Sequence, residues 1–228
     1  MSIDRKTACR DDLRARILTL DLPPGTDLDE AQLAALYGLS RTPLREVLQG
    51  LAAAGYLSQE RNRSARVTTL DLRTLRAMMQ SAPVLLCSVA RLAAMSTDTD
   101  GLDRLRDCHA ALLDAIDAED AAAAALADHH LFEQITERAS DPYFRPAVHR
   151  LLVDHTRLGV EFFTPSGKKK EKKLVKKTVQ SHDALIAAIS AADPEAASAA
   201  ALARWALSRD RLERMLLAEA LPTDPVPA

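Results

Sequence analysis

Aromatic residues make up only 4% of this 228-residue chain, and glycine occurs just seven times. Alanine and leucine, the least costly residues to place in a helix, are abundant instead, so the composition leans toward a mainly α fold. There are three cysteines (Cys9, Cys87 and Cys108), an odd number without Cys-x-x-Cys spacing. That argues against a disulfide framework and a Cys-only zinc site, and it fits a reducing cytoplasm. No stretch approaches the roughly 20 uncharged apolar residues of a membrane span, and Met1 to Arg10 lacks the apolar core of a secretory signal. Neither sign of charge dominates. The formal net charge is −2, with 27% charged and 47% hydrophobic residues, as expected of a soluble globular protein. A balance this even hides any local basic surface, so the distribution of charge has to be read along the chain.

Four of the seven glycines (Gly25, Gly38, Gly50, Gly55) fall in the first 70 residues, as does the turn signal Leu22-Pro-Pro-Gly25. Beyond Leu70 the chain becomes long helical windows separated by short breaks. The spacing therefore places a boundary near residue 70, with one domain over 1–70 and a second, all-helical one over 71–228. Within the first, apolar residues at 13, 17, 18 and 20 predict a helix from Asp11 to Leu20. Asp29 to Tyr37 reads as a second helix with acidic residues in its first turn. After a turn at Gly38, Ser40 is a good N-cap for a third helix that ends at Gly55. Tyr56-Leu57-Ser58 and Ala65-Arg66-Val67-Thr68 read as two strands joined by Arg61-Asn62-Arg63-Ser64. Helix, turn, helix and hairpin together make a winged helix-turn-helix pattern.

The third helix carries the chemistry. Leu44, Val47, Leu48 and Leu51 make an ordinary core-facing stripe. On the other side Arg41 and Arg45 are four residues apart, so they share one face of the N-terminal turn with Thr42 beside them. A recognition helix enters the major groove N-terminus first, and arginine donates bidentately to guanine O6 and N7. Between Tyr37 and Arg66 there are five arginines (41, 45, 61, 63, 66) against Glu46 and Glu60, a local +3 within a −2 protein. Such a stripe beside a basic hairpin tip suits contact with phosphates.

The run Leu33-Ala34-x-x-Tyr37-Gly38-Leu39-Ser40-Arg41-Thr42-Pro43-Leu44-Arg45-Glu46-Val47-Leu48-x-x-Leu51-Ala52-x-x-Gly55 resembles the GntR family of bacterial transcription regulators. Upstream, Leu13-Arg14-x-x-Ile17 and Pro24-Gly25-x-x-Leu28-x-Glu30 agree with it. The resemblance implies that Ser40, Arg41, Thr42 and Arg45 face DNA and that the wing tip dips toward the minor groove. One departure is Ser64, where the wing usually carries a glycine that permits close backbone approach. Arg61 and Arg63 would then act by reaching phosphates.

The second part contains the helical windows Asp71–Met95, Leu102–Ala118, Ala121–Ala139, Tyr143–Phe163, Lys172–Ala192 and Pro194–Leu217. Pro83 is expected to kink or split the first of them. Lys168 to Lys177, seven lysines around Glu171, reads as a solvated loop and a frayed helix start. The layout is similar to the all-helical FCD-type effector domain of the FadR subgroup, through Ala127-Asp128-x-x-Leu131-Phe132, Ala139-Ser140-Asp141-Pro142, Ser181-His182-x-x-Leu185-Ile186-x-Ala188-Ile189 and Asp193-Pro194-Glu195-Ala196-Ala197. Many members of that subgroup hold a divalent metal on one Asp and three His. Asp128 and His182 match two of the four positions, but Phe132 and Arg204 stand at the others. Ala82 and Leu86 replace the usual ligand-facing Arg and Glu. The resemblance thus implies an effector pocket of Ala82, Leu86, Asp128, Phe132, His182 and Arg204, with no metal and no cofactor. A forked Asp128–Arg204 pair would take the place of the ion. His129-His130 is an alternative source of metal ligands, although neighbouring helical side chains diverge by about 100°.

The reading that follows is a ligand-responsive, dimeric DNA-binding regulator, expected to be a repressor on a palindromic double-stranded operator, cytoplasmic, binding a small-molecule effector and no membrane. Two alternatives stay open: a helical part that only dimerises, or an enzyme with a DNA-binding appendage. The last is disfavoured, since the sequence has no phosphate-binding glycine loop, nucleophile elbow or complete metal-ligand cluster.

Overall fold

The computed structural model describes residues 2–59, 64–69, 71–164 and 169–219. Among them the elements run α1 (Ser2–Leu18), α2 (Glu30–Tyr37), α3 (Arg41–Ala53), β1 (Leu57–Ser58), β2 (Arg66–Val67), α4 (Leu72–Met95), α5 (Thr99–Asp117), α6 (Ala121–Ala139), α7 (Phe144–Phe163), α8 (Lys169–Ser190) and α9 (Pro194–Glu219). The fold is mainly α: three helices and a hairpin, then a six-helix bundle.

Local sequence sets most helix starts. Asp29, Asp71, Asp98, Asp120 and Asp193 each accept backbone N–H bonds from the first turn of the helix that follows, satisfying donors that no carbonyl can reach. Gly38 closes α2 in the left-handed region at φ 60°, where a side chain would be strained. The α2–α3 turn that sets the angle between those helices rests on this residue.

Leu13 and Ile17 of α1, Leu33 of α2, Leu44, Leu48 and Leu51 of α3, and Tyr56 and Val67 of the hairpin bury one small core. Fully burying a side chain such as Leu44 or Leu48 contributes about 1.5–3 kcal/mol. α1 begins nine residues before the expected Asp11, and buried Cys9 extends its apolar stripe by one turn of that stretch. β1 and β2 pair antiparallel, with Leu57 opposite Val67. The segment after Pro24 adds a third edge that the sequence did not announce: Gly25 N–H donates to Val67 O, Val67 N–H to Thr26 O and Leu28 N–H to Ala65 O, each within 2.9 Å.

In the bundle, α4 packs against α9, α6, α7 and α8, burying Leu75, Met78, Ala82, Leu86, Val89, Ala90, Ala93 and Ala94. By length and composition alone α4 is apolar enough to cross a membrane, which the reading of its sequence did not anticipate; here one side of it packs into the bundle core while Leu72, Val84 and Met95 are exposed. It runs unbroken through Pro83 rather than splitting, so neighbouring helices hold it across the missing N–H. The lysine run is helical from Lys169 instead of a loop, because Leu174 and Val175 pack beside Phe162 and Phe163. Val153 of α7 belongs to the core of the N-terminal region, which joins the two parts of the molecule.

Candidate nucleic-acid interface and effector cluster

α3 is cleanly two-faced. Leu44, Val47, Leu48 and Leu51 are buried, while Ser40, Arg41, Thr42 and Arg45 are exposed on the outer side. Ser40 occupies the N-cap, but its hydroxyl makes no cap bond. Arg45 is held from the side: its Nε donates to Glu30 Oε2 at 3.1 Å, while the side chain stays 61% exposed. No hydrogen bond to another residue engages its two terminal nitrogens among the described residues, and a guanidinium fork is what a guanine edge needs. Arg66 makes a fork onto Asp27 at 2.7 and 2.8 Å. The local +3 counted along the sequence is therefore partly offset by Glu30 and Asp27, which lie outside the counted window. Asp27, Asp29, Glu30, Arg45 and Ser64 line an open groove of about 580 Å³ between α2 and the hairpin. Arg61 and Arg63 lie outside the described residues.

The six pocket residues are all buried, and the structure joins three of them directly. Arg204 Nη2 donates to Asp128 Oδ1 at 2.7 Å, and His182 Nε2 lies 2.8 Å from the same oxygen. Arg204 Nη1 donates to Ser208 Oγ at 2.7 Å, and Ser208 Oγ is 3.1 Å from His155 Nε2. Phe132 meets His182 edge-on at 6.3 Å, and Ala82 and Leu86 belong to the same core as Phe132. Asp128 and Arg204 do pair, but not as the expected fork: the guanidinium distributes its donors between Asp128 and Ser208, and its Nε lies 3.3 Å from His182 Nε2. One ring nitrogen cannot both donate and accept. The shorter approach to a carboxylate assigns its proton toward Asp128, so the Arg204 Nε approach is a contact and not a hydrogen bond.

Charge in the cluster is balanced. Burial would raise the Asp128 carboxyl, but Arg204 and the His182 hydrogen bond outweigh it and hold the group well below the usual carboxylate range. Burial lowers His182 despite its bond to Asp128, and lowers His155 to about 4. At neutral pH one carboxylate and one guanidinium cancel, beside two neutral imidazoles. A divalent ion does not fit these residues: Phe132 offers no lone pair, and Arg204 is a permanent cation aimed at the carboxylate. His129 does not extend the cluster, since its Nδ1 lies 2.8 Å from Thr156 Oγ1 and its other side faces Glu133; His130 is exposed. Among the described residues no three of His, Cys, Asp and Glu gather as a metal would require. Beside the cluster, Phe162, Phe163, Leu158 and Leu212 close around a cavity of about 20 Å³, room for about one water.

Sequence reasoning missed the polar turn Asp154-His155-Thr156-Arg157 in α7, all four residues of which are buried. The available signal was four consecutive polar residues between Leu151-Leu152-Val153 and Leu158 in an amphipathic helix. It also missed Arg14 of α1, which pairs with Glu133 of α6 and donates through Nε to Tyr56 Oη at 3.0 Å.

Residues 6–67 match the family described as bacterial regulatory proteins, gntR family, and residues 78–206 match the FCD domain. A fatty acid metabolism regulator protein of Haemophilus influenzae is 29% identical over 168 residues, 68% of this chain and 68% of its own. The Nta operon transcriptional regulator of Aminobacter aminovorans is 34% identical over 84 residues, covering 37% of this chain and 40% of its own. Among solved structures, E. coli McbR/YncC superposes with a TM-score of 0.73 at 20% identity, over 95% of this chain and 99% of that one, a likeness of fold.

Proposed function

Because the chain belongs to the GntR family of bacterial regulatory proteins, and is thus a ligand-responsive DNA-binding transcription regulator rather than an enzyme, we propose that it acts as a homodimeric repressor on a palindromic operator. The observation that carries this reading is the outer face of α3, where Arg41, Thr42 and Arg45 stand exposed on a helix whose opposite face is locked into the core. Two copies related by a two-fold axis would present two such helices to two half-sites. The DNA-binding unit is residues 1–70 and the effector and dimerisation unit residues 71–228. Support for the dimer comes from α4, which leaves Leu72, Val84 and Met95 exposed on an apolar helix. Its place of action is the cytoplasm, where DNA is met.

The effector site is the cluster around Asp128, His182 and Arg204, with Ala82, Leu86 and Phe132 as its apolar walls. A neutral cluster has no spare charge for an ion, so the effector is apolar or weakly polar. It enters by parting Phe162 and Phe163 from α9, since the resting cavity holds about one water. Thermal-shift screening against neutral and carboxylate ligands tests this part; stabilisation by anions alone would refute it.

The DNA reading is tested on a duplex selected by the protein from a random-sequence library. Arg45→Ala should lower its preference for that duplex over random DNA by about 1–3 kcal/mol per half-site. An unchanged ratio would remove α3 from the role of base reader.

A further inference from the structure

The turn of α7 from Asp154 to Arg157 lies between the cluster and the hairpin, and its four buried side chains face in two directions. His155 and Thr156 turn to the bundle, through Ser208 and His129. Asp154 and Arg157, three residues apart and so on one face, turn to the base of the hairpin. Arg157 Nη1 donates to the Thr68 carbonyl at 2.5 Å, and its Nη2 donates to Asp154 Oδ1. The other Asp154 oxygen accepts from Arg150 Nη1 at 2.7 Å. Arg150 lies across Gly55, where a Cβ would overlap its Cδ and Nε. Gly55 and Thr68 are themselves tied, because Thr68 Oγ1 donates to the Gly55 carbonyl at 3.0 Å. One carboxylate therefore orders two guanidiniums that grip the chain just before β1 and just after β2.

We propose that Asp154 is the positioning residue that fixes the hairpin and α3 relative to the helical bundle, and that the 154–157 turn transmits a change at the Asp128–Arg204 cluster to the DNA-binding surface. Val153 and the Arg14–Glu133 pair also join the two units, but units within one chain move relative to one another by default, so a fixed orientation at the hairpin needs a specific device. A buried carboxylate with two guanidiniums is such a device, because removing one partner leaves charge buried without compensation and the grip is either made or broken. The route to the cluster is short. His155, adjacent to Asp154, meets Ser208, which takes a hydrogen bond from Arg204. A ligand that draws Arg204 away changes the partner of His155 on the same helical turn. This transmission rests on the regulator reading above, whereas the grip on the hairpin does not.

The test is a distance measurement by pulsed electron paramagnetic resonance on the full chain without DNA. Spin labels are placed through Leu36→Cys in α2 and Tyr143→Cys beside α7, both exposed, with Cys9→Ala, Cys87→Ala and Cys108→Ala. Dilution with unlabelled chain removes distances between copies. The parent should give one narrow distribution. Asp154→Asn should broaden it while circular dichroism and cooperative melting show both parts folded, and Arg204→Met, remote from the hairpin, should broaden it as well. If Asp154→Asn does not fold, Arg157→Met must produce the broadening. A broad parent, or a narrow distribution in these hairpin-facing variants, overturns the positioning role. An unchanged Arg204→Met distribution overturns the transmission. Loss of operator preference in Arg45→Ala has no bearing on any of these distances, so the two readings fail separately.

Discussion

Replacing Arg204 by methionine keeps most of the apolar stem and deletes the guanidinium. Asp128 is 4% and Arg204 2% exposed, so solvent screens neither charge. Breaking a buried pair by removing one partner costs about 3–5 kcal/mol, roughly a fifth or more of the about 5–15 kcal/mol that holds a typical protein folded. Each kcal/mol corresponds to about 2–4 °C in a chain of this size, so Arg204→Met should melt roughly 10 °C below the parent. Its pH dependence should also change sign. In the parent the Asp128 carboxyl lies below its unfolded value of about 3.9. The pair therefore contributes stability at neutral pH that is lost only as the pH falls through that depressed value. Without Arg204, burial dominates and raises the carboxyl, so the variant should suffer most at alkaline pH and approach the parent as the pH falls toward 5. Urea unfolding followed by circular dichroism, at several pH values, reads the effect. The double variant Asp128→Asn with Arg204→Met should recover about 2 kcal/mol of the loss, since residues in contact couple by about 0.5–3 kcal/mol. A single-variant loss below about 1 kcal/mol, or no recovery in the cycle, would refute the assignment of a buried, mutually compensated pair.

His155 should impose a separate acid limb: its folded value near 4 lies below the unfolded value of about 6.5, so stability is full above 6.5 and declines by about 3 kcal/mol as the pH falls to 4. His155→Gln should flatten that limb in a pH series of urea midpoints, and a parallel limb in the variant would exclude His155 as its source. Gly55 and Gly50 should respond oppositely to alanine. Gly55→Ala meets Arg150 at φ 84° and should cost about 1–3 kcal/mol, whereas helical Gly50 has nothing within 4 Å and should gain about 0.5–1 kcal/mol. Melting temperatures that move in the same direction would contradict the close packing of Arg150 over Gly55.

What could be read directly from the sequence was local. The stripe of Leu44, Val47, Leu48 and Leu51 follows from a 3.6-residue period, and it places Arg41 and Arg45 on the opposite face without knowledge of any other element. Aspartate caps and the left-handed turn at Gly38 are likewise decided within a few residues. The pairing of Asp128 with Arg204 was not local: it was legible only through the resemblance to the FCD family, which implied that Phe132 and Arg204 stand where imidazoles would otherwise face Asp128. The form of that pair was decided by tertiary structure: Ser208, one helical turn beyond Arg204, takes a donor that a fork would have given to Asp128. The partners that temper or direct the DNA-binding surface were also invisible in sequence. Glu30 on Arg45, Asp27 on Arg66 and Arg157 on Thr68 join residues 15, 39 and 89 positions apart. No periodicity links such residues, since their meeting depends on how whole helices pack. Geometry at a few ångströms then decides which charge faces which.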